Sequence, residues 1–164
     1  MKVLGVDPGT SITGYGVIET GNGGSARDRP ARVARLIECG VIRFTAKSPL
    51  PERLRALHEH ITGLIARHRP AALALENAFY SKNVHTTLVL GHARGVILLA
   101  AEQAGLAIAQ YPPATVKKTV AGAGGAPKAQ IGSVVARLLR LKEAPKPADA
   151  ADGVAVALTH ILRT

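Results

Sequence analysis

Four acidic residues in this sequence stand where carboxylates could bind metal ions. Asp7 and Glu76 each end a short apolar run, so each is expected at the end of a buried strand. Asp149 and Asp152 are three residues apart, a spacing that places both on one face of the first turn of a helix. In α/β sheets, ligands bind at the carboxyl ends of the strands. We therefore expect the four acids to converge at one edge of a sheet.

Carboxylates gathered in one place repel one another unless cations neutralise them. Oxygen ligands suit Mg²⁺ or Mn²⁺, and the sequence has no Cys and His spacing that would favour zinc. Two such ions about 3.5–4 Å apart can activate a water and stabilise the leaving oxygen of a phosphodiester. The acids therefore predict a two-metal hydrolytic site that uses two Mg²⁺ ions, with Mn²⁺ as a substitute.

Each of these positions also has a plain structural interpretation. The run from Asp7 to Gly9 has the composition of a β-turn. Asp149 and Asp152 could simply complement the positive N-terminal end of a helix. His160, eight positions after Asp152, is interpreted as a surface or packing residue. If the acids were only caps, the chain would be a non-catalytic binding module.

The hydrophobic pattern predicts an α/β fold. Two β-like runs within Met1 to Glu19 and a third from Val33 to Phe44 form an antiparallel meander, with an exposed flexible loop from Thr20 to Arg35. Helices and strands then alternate, which predicts a five-stranded mixed sheet flanked by helices and a single domain over residues 1–164. The later elements are expected at Pro51 to before Pro70 (helix), Ala71–Glu76 (strand), Thr86–Ala104 (helix), Leu106–Tyr111 (strand), Thr115–Val120 (helix), Pro127–Leu141 (helix) and Ala148–Leu162 (helix).

The charge balance indicates a polyanionic partner. Lysine and arginine number 21 against 11 acidic residues, which gives a net charge of +10 and a pI near 10.4. Such a surface attracts nucleic acid. Aromatic residues make up only 3% of the chain, so phosphate contacts should dominate over base stacking. The single Cys39 cannot form an internal disulfide and is interpreted as a small buried residue.

The sequence predicts a soluble cytoplasmic protein with no membrane association. No signal-like apolar segment opens the chain, because the first apolar run is short and ends at Asp7. The most apolar window, Val96 to Ala101, is far shorter than the ~20 residues that a membrane-spanning helix needs.

Several motifs in one order carry a resemblance to a known family. They are Val6-Asp7-Pro8-Gly9 with Gly14 to Val17, Leu75 to Phe79, Leu90 to Gly95, Val116 to Gly122 and Ala148 to Asp152. Together they resemble the RuvC family of bacterial Holliday-junction resolvases, from Lys2 to about His160. The resemblance implies a ribonuclease H-like fold and a homodimer that nicks two strands of a four-way DNA junction symmetrically, in recombination and repair. It also implies the branch-migration proteins RuvA and RuvB as partners.

The same resemblance implies roles for individual residues. The catalytic, metal-binding acids of the family fall on Asp7, Glu76, Asp149 and Asp152. Its DNA-contacting residues fall on Lys117 and Lys128, near the scissile phosphate, and on Phe79, which would touch junction bases.

Arg94 and Lys82 are further candidates for contacts with the DNA backbone. Lysines are ordinarily solvated and Phe79 could instead belong to the core, so the plain interpretations stay open for these positions.

One other enzyme class shares part of the N-terminal motif. Asp-x-Gly-Thr between a strand and a hairpin, here Asp7 to Thr10, also occurs as a phosphate loop in actin-like and sugar-kinase-like ATPases. Those proteins need a second domain of the same kind, for which 164 residues leave no room. An ATPase domain nevertheless stays as the alternative enzymatic interpretation, because the motif itself fits both classes.

Overall fold

In a computed structural model, five strands form one mixed sheet that helices cover on both faces. The structure describes residues 1–21, 34–45, 47–77, 83–122 and 128–164, the last range without the side chains of residues 128 and 129. The elements are β1 (Lys2–Asp7), β2 (Ile12–Thr20), β3 (Ala34–Arg43), α1 (Leu50–His68), β4 (Ala72–Glu76), α2 (Val84–Gln103), β5 (Ala107–Tyr111), α3 (Pro113–Ala121), α4 (Lys128–Leu138) and α5 (Ala148–Arg163).

The strand order is β3-β2-β1-β4-β5. The first three strands pair antiparallel, whereas β4 runs parallel to β1 and β5 runs parallel to β4. This arrangement confirms the predicted fold class, a mixed sheet of three antiparallel strands followed by parallel ones. The parallel connections run through helices, as crossover connections require.

Two hydrophobic clusters lie on the two faces of the sheet. One contains Val3 and Ala74 together with apolar residues of α3, α4 and α5. The other contains Leu4 and Leu75 together with apolar residues of α1 and α2. Because successive side chains of a strand point to opposite faces, the last residues of β1 and β4 point to the α5 side. The sheet therefore presents two strand-end acids to one helix.

Helix α5 lies unusually close to the strands because glycines face each other at the contact. A Cβ on Gly153 would lie 2.5 Å from the backbone nitrogen and Cα of Tyr15, and one on Gly16 would lie 2.7 Å from Cα of Val154. Distances this short leave no space for a side chain. The backbone of α5 consequently packs directly on β1 and β2.

Most predicted elements are confirmed within a few residues, but two boundaries were wrong. Helix α4 was predicted to reach Leu141 and ends at Leu138. The chain leaves the helix because Arg140 adopts a positive φ of 54° and the Leu141 N–H donates to Ala136 O, as at other left-handed helix ends. The predicted loop from Thr20 to Arg35 was too long, since β2 includes its first residue and β3 its last two. Residues 22–33 of the predicted loop lie outside the described residues.

Helix α2 corrects the estimate of membrane-spanning potential made from a six-residue window. It is 20 residues long and contains an 18-residue window with a mean hydropathy of 1.4, so length and composition alone would allow it to cross a membrane. The helix as a whole is apolar because Arg94 and Glu102 are its only charged residues apart from histidines. One side of α2, including Ala93 and Ile97, packs into the core.

Candidate active site

A cleft at the carboxyl edge of the sheet brings together three of the four predicted acids. Asp7, Glu76 and Asp152 line it together with Lys117, one of the predicted DNA contacts. The remaining lining residues are Pro113, Val116, Ile131 and Ala155. Its cavity volume of about 60 Å³ is enough for a few water molecules. Carboxylates from two strands and a helix therefore share one small space with the Lys117 ammonium group.

Strand register brings the first two acids to the same level. In the parallel pairing of β1 with β4, Val6 lies opposite Leu75. Asp7 and Glu76 are the next residues of each strand and point to the same face. Asp7 is also paired with Gly14 across the β1–β2 hairpin. Two buried strands ending together thus place two carboxylates side by side at the sheet edge.

Helix α5 supplies the other two acids from its first turns. Asp152 lines the cleft, one turn after Asp149. Asp149 is described but does not belong to the cleft lining, although its backbone carbonyl lies against Gly14, the residue paired with Asp7. Its role as a metal ligand therefore stays a prediction.

The turn that follows Asp7 is held by contacts that sequence reasoning missed. The Arg53 guanidinium of α1 donates to the Thr10 carbonyl, and the Phe44 N–H donates to Ser11 O at 2.9 Å. Within the turn, the Gly9 N–H lies 3.5 Å from the Thr13 hydroxyl. Arg53 and Thr10 are 43 positions apart, so no local pattern signals their contact.

Of the other predicted DNA-binding residues, only Arg94 has a described side chain, and it does not line this cleft. The Arg94 guanidinium donates to Gln110 Oε1 at 2.7 Å and so links α2 to β5. Lys128 is the first residue of α4, but its side chain is outside the described part of the structure. Phe79 and Lys82 also lie outside the described residues. Of the two predicted DNA contacts whose side chains the structure describes, Lys117 lies beside the acids and Arg94 does not.

The donor set of the cleft fits a hard divalent cation. All three acids offer carboxylate oxygens, which Mg²⁺ and Mn²⁺ prefer. Among the described residues, no three His, Cys, Asp or Glu side chains are grouped so as to enclose one ion. Mg²⁺ typically takes one or two carboxylates and fills its other positions with water and substrate phosphate. An open cleft with carboxylates on different walls suits that mode of binding.

A mixed sheet in this order, with acids at its carboxyl edge and a helix packed across them, is characteristic of the ribonuclease H-like nucleases. The family model for Crossover junction endodeoxyribonuclease RuvC matches residues 3–160. The chain belongs to the RuvC family and is a hydrolase that acts on DNA.

Relatives and solved structures agree with this membership over nearly the whole chain. The chain is 47% identical to the RuvC of Pelotomaculum thermopropionicum over 161 residues, which is 98% of this chain and 92% of that one. It resembles the Thermus thermophilus RuvC structure with a TM-score of 0.85 and 35% identity, covering 99% of this chain and 94% of that one. The structure of T. thermophilus RuvC in complex with a Holliday junction substrate matches with the same TM-score and coverage at 33% identity.

Proposed function

We propose that this chain resolves four-way (Holliday) DNA junctions in recombination and repair by paired, symmetric nicks that depend on a divalent metal. The observation that carries the proposal is the cleft in which Asp7, Glu76 and Asp152 meet Lys117. Carboxylates can bind cations and the ammonium group can bind a phosphate, so the cleft offers both parts of a phosphodiester-hydrolysing site. A relative whose solved structure covers 99% of this chain was solved in complex with a Holliday junction substrate, which supports four-way DNA as the substrate.

The acids and the lysine have separate tasks in this mechanism. Asp7, Glu76, Asp149 and Asp152 would hold two Mg²⁺ ions, for which Mn²⁺ can substitute. When bound, the metal centre supplies an activated water and stabilisation of the departing oxygen. Lys117 would orient the scissile phosphate by a charge-assisted hydrogen bond. Apolar side chains of α3, α4 and α5 line the rest of the cleft.

Affinity for the junction would come from the basic surface. The net charge of +10 favours contacts to many phosphates. We place Lys117, Lys128 and Lys82 among these contacts and Phe79 against junction bases. Arg94 would have to exchange its hydrogen bond with Gln110 for one with a phosphate.

We infer a homodimer that uses the exposed side of α2. Three large apolar side chains stand out from this helix: Val84 is 74% exposed, Leu88 57% and Leu99 52%. Exposed apolar side chains on one element favour a protein interface, and a two-fold interface repeats the same surface on both copies. A two-fold dimer would carry one acid cleft in each copy, and these two clefts would account for the symmetric nicks.

Family membership supports two further parts of the proposal, the protein partners and the compartment. We propose RuvA and RuvB as partners and the cytoplasm as the compartment of a soluble protein. Two hydrophobic clusters on the two faces of one sheet support a single domain over residues 1–164.

Cleavage of a synthetic four-way junction tests the proposal. The purified chain is incubated with the junction and with a linear duplex of the same sequence, each in EDTA, Mg²⁺ or Mn²⁺. We expect ligatable paired nicks in the junction with either metal, little cleavage of the duplex and none in EDTA. Junction binding without product in either metal would contradict the proposal and support a non-catalytic binding module. Metal-dependent ATP hydrolysis without DNA cleavage would instead support the ATPase alternative.

A further inference from the structure

At the carboxyl edge of the sheet, the end of β4 lies beside the end of β5. Glu76 is paired with Tyr111 in the parallel ladder between β4 and β5, and the Asn77 N–H donates to Tyr111 O at 2.8 Å. On the other side, the ladder between β1 and β4 ends at Val6 and Leu75. The neighbour of Glu76 in this ladder is therefore Tyr111, the last residue of the edge strand β5.

The Tyr111 side chain connects this edge to the helix that carries Asp152. Its hydroxyl lies 2.9 Å from Nδ1 of His160, and the two rings are 6.1 Å apart at 59°. Burial raises the pKa of Tyr111, although Arg163 partly opposes this, and burial lowers the pKa of His160. Both groups are consequently neutral near pH 7, so the hydroxyl donates, Nδ1 accepts and Nε2 carries the imidazole proton.

We infer that the hydrogen bond between Tyr111 and His160 positions the acid cleft by holding the Glu76 end of the sheet at a set distance from the Asp152 turn of α5. Neither Tyr111 nor His160 lines the cleft, so both are positioning residues. The inference rests on the proposed function, because it takes Glu76 and Asp152 as ligands of one metal centre.

The geometry explains why such a contact is needed. Strand β5 is an edge strand, so only β4 supports it within the sheet. His160 follows Asp152 by eight residues, about two turns of the same rigid helix. Mg²⁺ demands near-ideal octahedral geometry at about 2.0–2.1 Å, so small changes in carboxylate spacing weaken its binding. A side-chain bond from the edge strand to α5 restricts that spacing.

Replacing Tyr111 by phenylalanine removes the hydroxyl and keeps the ring. We expect Tyr111→Phe to weaken Mn²⁺ binding, measured by calorimetry without DNA, by about 3- to 10-fold, as loss of one partly buried hydrogen bond would. The Mg²⁺ concentration for half-maximal cleavage should rise in parallel, and hydrogen exchange at the Asn77 amide should accelerate. Junction affinity in EDTA should remain that of the wild type.

Tyr15→Phe is a matched control. Tyr15 is also half-buried in the sheet, and its hydroxyl donates to Glu38 Oε1 at 2.9 Å, away from the cleft. We expect Tyr15→Phe to lower thermal stability comparably while leaving Mn²⁺ binding unchanged. Equal weakening of Mn²⁺ binding in both variants would show that the role of Tyr111 is only structural, and would overturn the inference.

Two substitutions of His160 give an independent test that does not depend on the folding of Tyr111→Phe. Gln retains an acceptor and Leu does not, so His160→Gln should bind Mn²⁺ nearly as the wild type and His160→Leu should match Tyr111→Phe. Combining Tyr111→Phe with His160→Leu should weaken binding no further than either change alone. Wild-type Mn²⁺ binding in His160→Leu would overturn the inference while leaving the proposed function intact. Absence of Mn²⁺ binding in the wild type would contradict the proposed function itself.

Discussion

The backbone carbonyl oxygen of Asp149 lies 1.8 Å from the point that a Cβ on Gly14 would occupy. Gly14 is in turn the direct partner of Asp7 in the hairpin ladder. Position 14 therefore accepts only glycine while the first turn of α5 keeps its place. The distance between the strand acids and the helix acids depends on this missing side chain.

Gly14→Ala should consequently impair the enzyme by moving α5. We expect a loss of about 1–3 kcal/mol in unfolding free energy, as for other overpacked sites, and at least tenfold slower junction cleavage. Urea unfolding and single-turnover cleavage would measure the two effects. Gly63→Ala is the control, because its Cβ would meet nothing within 4 Å and alanine favours the helix. Wild-type cleavage by Gly14→Ala would show that the close contact is not needed.

Asp7→Asn should abolish cleavage and preserve junction binding. The amide keeps the shape of the side chain but removes the negative charge that attracts a dication, whereas affinity for DNA comes mainly from phosphate contacts. Nicking in Mg²⁺ and a gel-shift assay in EDTA separate the two properties. Glu52→Gln, an exposed acid of α1 outside the cleft, should behave as the wild type. Full cleavage by Asp7→Asn would exclude the acid cleft as the active site.

Junction affinity should depend steeply on salt. If the basic surface makes about 6–10 phosphate contacts, affinity should fall ~10³–10⁵-fold between 50 and 200 mM salt. Lys117→Ala should reduce the slope of log affinity against log salt by about 1. Fluorescence anisotropy with a labelled junction measures the slope, and a nearly flat response would contradict phosphate-dominated binding.

Leu88→Glu should dissociate the proposed dimer. A carboxylate in an apolar two-fold interface loses hydration without gaining a partner. Analytical ultracentrifugation should show a monomer, and the paired nicks should become single, slower nicks. Thr62→Glu adds the same charge to an exposed position of α1 and should remain dimeric. A dimer that persists in Leu88→Glu would place the interface elsewhere.

A polar cluster away from the cleft should make stability depend on pH. Burial alone would raise the pKa of Glu38, but hydrogen bonds from His68 at 2.8 Å and Tyr15 at 2.9 Å, together with the Arg67 charge, lower it below its usual 4.5. A lowered carboxyl pKa adds stability above the unfolded-state value, and that stability is lost as pH falls through the folded-state value. Glu38→Gln should therefore cost about 1 kcal/mol at pH 7 and progressively less below pH 4.5.

Urea unfolding of Glu38→Gln and the wild type over this pH range checks the prediction. A difference in unfolding free energy that stays constant down to acidic pH would show that the charge of Glu38 does not contribute. The same cluster raises the pKa of Tyr15 to about 12, through burial first and then the hydrogen bond and negative charge of Glu38. Tyr15 therefore remains a hydrogen-bond donor throughout the range.

Local patterns in the sequence determined the type and order of the elements. Apolar runs that end on Asp7 and Glu76 predicted strand-end acids, and helical spacing of apolar residues predicted α1, because such features repeat over a few neighbouring residues. Net charge and motif order likewise need no coordinates, so they were sufficient to indicate a DNA-binding nuclease family.

Tertiary structure alone decided which side chains meet. Arg53 contacts Thr10 across 43 positions and Tyr111 contacts His160 across 49, and no local periodicity encodes pairs so distant. The same holds for the cleft, where packing of α5 onto glycines of the sheet placed Asp152 beside the strand acids. A sequence states which groups are available, but only the packing of distant segments determines the distances between them, and the chemistry depends on those distances.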